Sequence, residues 1–397
     1  MSTIEQLCGT VKQQSDLAVS HIRNRYTQST SVKSGNWFRM TLSKHDQKYV
    51  DMRSLKLRFN LAIQTADALS PTETGLAAPT AACIFRRIVV KSGSTVIMDI
   101  ENVPLLATMQ ENISTKGTVS VQSLSLRGNG SEYSRRNWAR DGPKEYIINA
   151  GPAGSFLNCD CLLPTFRMSD IHIEYYLADG NLVINSPDQA STFTISDIEL
   201  HSNYLSSKSI TNFFNANPNA SFSVTDYSHR FFNVNGQTSV LKISSANTSL
   251  NSIVCFFHPD NMGDTTARQR YEHGMRYSTS IKSYQLFVNT LAYYDQPVDS
   301  LEQAWEHFSK SFPQAEHSMF YNDWDTQFLL TCDLRAAPKE FSKHITSGVK
   351  TSALNSDLAL KVDFLPGGQA VPLVVDCFLM SDAVISIGAG RDLQIRY

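Results

Sequence analysis

Residue types that could do chemistry are present in this sequence, but their spacing gives them little to do. Cys159-Asp-Cys161 is a C-x-C pair with no second pair and no nearby histidine. Zinc sites space their ligands as C-x₂₋₄-C with a second pair, so two thiols at a spacing of two fit one face of a strand, packed as core. The ten histidines are dispersed, and there is no H-E-x-x-H, no G-x-S-x-G and no glycine-rich loop opening a helix. Gly388-Ala-Gly390-Arg391 resembles a phosphate loop only in composition, because no Lys-Ser or Lys-Thr follows and its neighbours are strand-like, as in a tight turn. Asp323, Asp325 and Asp333 are close enough in sequence to supply a glycosidase carboxylate pair, with Trp324 as a sugar platform. They sit in no recognisable motif, and Asp before a strand is ordinary turn chemistry. Tyr175-Tyr176 and Tyr293-Tyr294 read as interior or interface residues. The expectation is therefore no catalytic residue, no cofactor, no metal and no small-molecule substrate.

The elements that would carry these residues are mostly strands. Leu55, Leu57, Phe59, Leu61 and Ile63 alternate with Lys56, Arg58, Asn60 and Ala62. That period of two puts one face in a core. Residues 84–90 and 95–98 flank Lys91-Ser-Gly93 as a hairpin, and Val103, Leu105, Leu106 and Met109 then take helical spacing. Further strands are expected at 119–126, with a bulge or strand end where the apolar phase shifts, and at 146–149, 161–166, 171–177 and 193–200. In the second half they are expected at 221–224, 239–243, 252–257, 283–293, 327–334, 358–364 and 371–379. Gly-, Asn- and Pro-rich turns punctuate them, with no alternation of strand and long helix, which is the grammar of sandwiches. Ser300-Leu-Glu-Gln303 is a capping box opening a helix with Leu301, Ala304, Trp305 and Phe308 on one stripe. Residues 1–26 read as an amphipathic helix through Ile4, Leu7, Cys8 and Val11.

At 397 residues the chain suits two domains, and the Ser- and Asn-rich stretch Ser202 to Pro218 is the natural connection. The division expected is 1–34 as a helix and basic arm, 35–205 as a first sandwich and 206–397 as a second. Net charge is −2 and charged residues make up only 18%, which excludes a strong global attraction to nucleic acid or acidic membranes. Residues 1–44 are the local exception, with six basic residues against two acidic ones, a net of +4. Arg23, Arg25 and Lys33 are the candidates for an inward-facing arm, although a solvated charged face reads equally well. Seven scattered cysteines, mostly in apolar stretches, argue against a disulfide framework. No apolar run reaches the roughly 18 residues of a membrane span, and the start lacks the apolar core of a signal peptide. Cytosolic synthesis is expected, and the sequons at Asn112, Asn129, Asn219 and Asn247 then follow from composition alone.

Two stretches carry a resemblance. Ile84-Phe-Arg-Arg-Ile-Val-Val-Lys-Ser-Gly93, with a helix after it, resembles a signature of the double-jelly-roll major capsid proteins, found in tectiviruses, adenoviruses, virophages, polinton-like viruses and adintoviruses. The ending, from Leu358-Ala-Leu-Lys-Val-Asp-Phe364 to Ile385-Ser-Ile387 and Arg391-Asp-Leu-Gln-Ile-Arg-Tyr397, is similar to that family's close. Glu101-Asn-Val-Pro104 departs from it, where many relatives have a Tyr-rich segment. The resemblance implies an all-β chain of two consecutive eight-stranded jelly rolls with short helices in the connections. It implies a homotrimeric, pseudo-hexagonal capsomer tiling an icosahedral virion, with other coat proteins such as a penton as partners. The N-terminal arm would then face inward, towards genome or an inner membrane. The alternative is a two-sandwich carbohydrate- or receptor-binding spike or tail protein, with Trp138 and Trp324 as stacking platforms.

Overall fold

Leu55 to Ile63 is the middle of a 16-residue strand whose apolar residues are buried in alternation, and the same pattern repeats in two successive sandwiches. The computed structural model describes residues 16–64, 75–78, 80–113, 142–185, 191–218, 220–259, 280–312, 328–335, 348–351, 357–367, 373–387 and 393–396. Strands of the first sandwich are β1 (Ala18–Arg25), β2 (Ser31–Lys33), β3 (Trp37–Thr41), β4 (Tyr49–Gln64), β5 (Gly75–Leu76) and β6 (Phe85–Ser92). They continue with β7 (Thr95–Glu101), β8 (Lys144–Asn149), β9 (Leu162–Leu163), β10 (Ile171–Leu177), β11 (Ile184–Asn185) and β12 (Thr192–Ser206). The second sandwich has β13 (Ser221–Val234), β14 (Thr238–Ile243), β15 (Leu250–Pro259), β16 (Ile281–Val288) and β17 (Leu291–Ala292). It closes with β18 (Leu330–Asp333), β19 (Leu358–Phe364), β20 (Leu373–Ile387) and β21 (Leu393–Arg396). Helices α1 (Val103–Ile113), α2 (Gly180–Val183), α3 (Lys208–Ala216) and α4 (Leu301–Ser311) lie in the connections. None of the described helices is long and apolar enough to cross a membrane.

Topology makes the two halves copies of one plan. The first pairs β1-β12-β4-β8 in one sheet and β3-β10-β6-β7 in the other, while the second pairs β13-β20-β15-β18 and β14-β19-β16-β17. Leaving aside the short strands β2, β5, β9 and β11, each half joins its first, eighth, third and sixth strands, then its second, seventh, fourth and fifth. This is the wrapped antiparallel order of a jelly roll, and the chain is a double jelly roll. Each fifth strand is followed by a helix, α1 in the first roll and α4 in the second. Period-two burial fills each sandwich. Leu358, Leu360, Val362 and Phe364 on β19 point into the second core, and Phe364 meets Phe257 of the facing sheet edge-on. Ser300 caps α4 as expected, accepting from the Gln303 amide at 3.3 Å, while Gln303 Oε1 accepts from the Asp299 amide.

Three expectations are corrected. The helix expected over 1–26 does not run to its end, because Ala18 to Arg25 is strand β1, paired residue by residue with β12, while Ile4, Leu7, Cys8 and Val11 lie outside the described residues. The strand's inward residues Ile22 and Tyr26 pack on the core at a spacing that only an extended chain provides. The segment carrying Arg23, Arg25 and Lys33 is thus built into the first sheet through β1 and β2. The connection expected over Ser202 to Pro218 holds the end of β12 and then α3, whose Ser207 cap accepts from the Ser209 amide. Residues 161–166 hold only the two-residue β9, because Pro164 donates no ladder bond. The strand expected over 283–293 folds back at Asn289 and Thr290, both at positive φ, to give β16 and β17. The strand expected at 119–126 lies outside the described residues.

Deleting residues 1–25 should expose the β12 edge and give an aggregated or early-melting protein. Thermal unfolding with light scattering of this truncation beside the full chain checks this.

Candidate functional site

Alternation along β15 and β20 assigns the two faces of the second roll's first sheet. Phe257 meets the opposite sheet, and the Cys255 and Cys377 sulfurs lie 3.0 Å apart on that inner side. Phe256, His258, Asp376 and Phe378 therefore point outward, yet all are buried. The first roll reaches this face: β7 lies against β13 and β21, α1 reaches β13, and Asn102 meets Asp376.

The seam is closed by specific polar contacts. Gln110 on α1 donates to the Tyr227 hydroxyl at 3.1 Å and accepts from the Ala153 amide at 2.9 Å. The Tyr227 hydroxyl in turn donates to the Ala153 carbonyl at 2.5 Å, which completes a ring of three bonds. A main-chain bond joins the Thr225 amide to the Gly154 carbonyl at 2.8 Å. Gly154 sits at φ +77°, where a side chain would be strained and would press on Thr225.

A buried charge cluster anchors the same seam. Nε2 of His229 on β13 and of His258 on β15 lie 2.6 and 2.5 Å from the two carboxylate oxygens of Asp376 on β20. Asn102, at φ 51° just after β7, reaches across from the first roll and donates to Asp376 Oδ1 at 3.2 Å. Burial pushes the Asp376 carboxyl up, but the hydrogen bonds from the two histidines outweigh it and hold the group at about 2.

The matching face of the first roll carries a similar triad. Glu199 on β12, almost fully buried, meets Arg25 on β1 at 2.8 Å, Arg58 on β4 at 3.2 Å and His201 at 2.9 Å. Burial raises its carboxyl, and the bonds from His201, Arg25 and Arg58 prevail and bring it to about 2. Both rolls therefore place a carboxylate on the eighth strand between bases on the first and third. They differ in cover: His258 is buried, whereas the Arg25 side chain is 78% exposed.

The remaining candidate residues are placed plainly. Cys159 and Cys161 are buried with sulfurs 3.2 Å apart, just before β9. Burial pushes the thiols of Cys161 and Cys255 up and that of Cys332 to about 12, so these are inert packing thiols. Among the described residues no cluster of His, Cys, Asp or Glu has the geometry of a metal site. Asp333 is ion-paired with Arg335 at 2.9 Å. Asp323, Trp324, Asp325, Trp138 and the Gly388 to Arg391 turn lie outside the described residues. Tyr175 is buried and donates to the Ala150 carbonyl, while Tyr176 stacks on Trp37 at the outer surface. Arg23, Arg25 and Lys33 are exposed, the first two on the outward face of β1. The His229–Asp376–His258 cluster was missed because its members are far apart in the chain. The one local signal is an Asp inside the apolar run Val374-Val-Asp-Cys-Phe378.

No protein-family model matches the sequence, and no curated protein is similar to it. Solved structures do match in fold. The crystal structure of VP54 from PBCV-1, fitted into a cryo-EM reconstruction of the virophage Sputnik, aligns with TM-score 0.68 at 9% identity, covering 98% of each chain. The Faustovirus major capsid protein aligns with TM-score 0.63 at 8% identity over 94% of this chain and 91% of that one. The mavirus major capsid protein aligns with TM-score 0.54 at 7% identity over 97% and 90%. At such identities the likeness is one of fold, and it extends over both rolls.

Asp376→Ala should destabilise the protein by about 3–5 kcal/mol, because it leaves buried His258 and partly buried His229 without their carboxylate. Lys310→Ala, which removes an exposed ion pair with Glu306, should change it by under about 1 kcal/mol. Denaturant unfolding measures both. The folded pKa of Asp376, about 2, lies below its ordinary 3.8, so its ionisation stabilises the fold above that ordinary value. A contribution of about 2 kcal/mol should be full at neutral pH and vanish as pH falls from about 4 towards 2. The stability gap between wild type and Asp376→Asn should close over that window.

Proposed function

We propose that this chain is a major capsid protein, a coat subunit and not an enzyme, which trimerises into a pseudo-hexagonal capsomer and tiles an icosahedral virion. The observation that carries this reading is the full-length match to major capsid proteins across both rolls, at near-complete coverage of both chains. A fold alone does not fix a function. Here the support is that, among the described residues, groups with chemical potential are used in packing. The six described thiols are buried, and His229, His258 and Asp376 meet at the seam between rolls. Rigid sandwiches joined by such a seam suit a building block that must keep its outline while its loops make contacts.

Partners on this reading are further copies of the chain and other coat components such as a penton. Arg23, Arg25 and Lys33 as an inward arm towards genome or membrane have weaker support. Arg25 is engaged by Glu199, and strong phosphate binding needs several uncommitted cations.

Purified protein should elute as a trimer by light scattering, and at high concentration should form flat hexagonal arrays or closed shells by electron microscopy. A stable monomer that forms no particles under any of these conditions would overturn the reading.

A further inference from the structure

Trp37 is 49% exposed, on an outermost strand of the first roll's second sheet. It stands directly opposite Tyr176 across β3 and β10, and the two rings stack at 6.0 Å with 25° between their planes. Arg87, opposite Tyr176 on β6, brings its guanidinium to 5.8 Å from the Tyr176 ring. Arg39, two residues along β3, lies 5.6 Å from the Trp37 ring. Cross-strand pairs of this kind stabilise any sheet, and a lone exposed aromatic needs no explanation. Three further features give this ring a use.

Its surroundings are fixed before anything binds. Arg39 donates to the almost fully buried Glu174 at 2.8 Å, and Arg87 donates to Asp99 at 2.7 Å. A guanidinium carries five N–H donors, so Arg39 keeps several for a ligand while its side chain is already held still. Charge on this face cancels as well. Arg39, Arg87 and Lys91 are answered by Glu174, Asp99 and Glu101, which leaves no field to draw an anion. The third feature is the strand edge. Leu42 N–H donates to the Ile171 carbonyl and Leu177 N–H to the Asn36 carbonyl, so even-numbered residues of β3 carry the ladder to β10. Trp37 and Arg39 therefore turn their main-chain N–H and C=O groups to the outer edge of the sheet. A peptide strand would gain little by pairing there, because β3 has only five residues and the Asn24 side chain donates to the Thr41 carbonyl at 3.3 Å.

A ring rimmed by a fixed guanidinium and by main-chain donors and acceptors, without net charge, matches a pyranose sugar. The C–H face of the sugar packs on the ring, and its hydroxyls both donate and accept. We propose that Trp37 is the platform of a saccharide-binding site for a neutral pyranose. Arg39 and the β3 main chain hold the hydroxyls, while Tyr176 and Arg87 back the ring. This site goes beyond the coat-subunit reading and stands whether or not copies assemble. One such platform binds weakly, but many copies on one particle would convert weak contacts into firm attachment through effective concentration.

The test titrates the purified full chain calorimetrically with neutral oligosaccharides of glucose, mannose, galactose and N-acetylglucosamine, and with sialyllactose as the anionic control. At least one neutral oligosaccharide is expected to bind. Trp37→Ala, with its fold confirmed by circular dichroism, is expected to weaken that binding by about tenfold or more. Trp37→Thr, a better strand former, gives the same reading if the alanine variant unfolds. Trp37→Tyr keeps a ring and is expected to retain most of the affinity. Arg39→Lys keeps the charge beside Glu174 but loses the planar donors, and is expected to weaken binding severalfold. No binding of any neutral sugar, binding of sialyllactose alone, or an affinity unchanged in the folded Trp37 variants would overturn the site and leave the coat reading intact.

Discussion

Phe256, Phe378 and His258 sit on the side of a sheet that a lone jelly roll would turn to water, yet each is at most 4% exposed. Burying a phenyl group is worth about 2 kcal/mol, and an uncovered patch of this kind would invite aggregation. The first roll reaches this face through β7, α1 and Asn102. The first roll supplies it with the strand edge, helix and loop that sandwich topology leaves beside its fifth strand. Orientation within this contact is set by the polar groups. Apolar packing would tolerate sliding, but the Gln110–Tyr227–Ala153 ring and the Asn102 bond to Asp376 are satisfied in one register only.

The two triads show how one plan can serve a permanent and a wet surface. Under the first roll, the second roll's eighth-strand carboxylate is paired with imidazoles and flanked by phenyl rings. On the open face of the first roll, the corresponding carboxylate is paired with guanidinium groups that stay hydrated at their tips. Arginine keeps its charge at any pH and retains water more cheaply than a phenyl ring tolerates it. Two residues beyond the eighth-strand carboxylate, the second roll carries buried Phe378 where the first carries His201.

Much of this architecture was legible in the sequence because strands with one buried face write their burial in period two. The cores of β4 and β19 follow directly from that alternation. β1 escaped because it is an edge strand: its inward residues are only Ser20, Ile22, Asn24 and Tyr26, too mixed to show alternation. α3 escaped because Ser, Thr and Asn dominate it. Its place is fixed by Phe214 stacking on Tyr49, a contact between residues 165 positions apart in the chain. The seam was illegible for the same reason. Asn102, His229, His258 and Asp376 have no shared local spacing, and only the crossing of four elements brings them together.

Arg23 and Arg25 show how structure changes the meaning of a charge count. Six basic residues against two acidic ones in a terminal window suggest an arm that seeks polyanions. Once Ala18–Arg25 is a strand, its outward residues recur every second position, and Arg25 lies directly opposite Glu199. The charge is then local, and it is largely answered within the sheet. A chain with only 18% charged residues has few with which to build a field, so it uses them in short-range pairs that fix register, within a roll and at the seam between rolls. On the coat-subunit reading proposed above, the same reasoning explains why net charge near zero is tolerable: strong net charge of one sign would oppose the assembly of copies, while alternating local charges of both signs direct it.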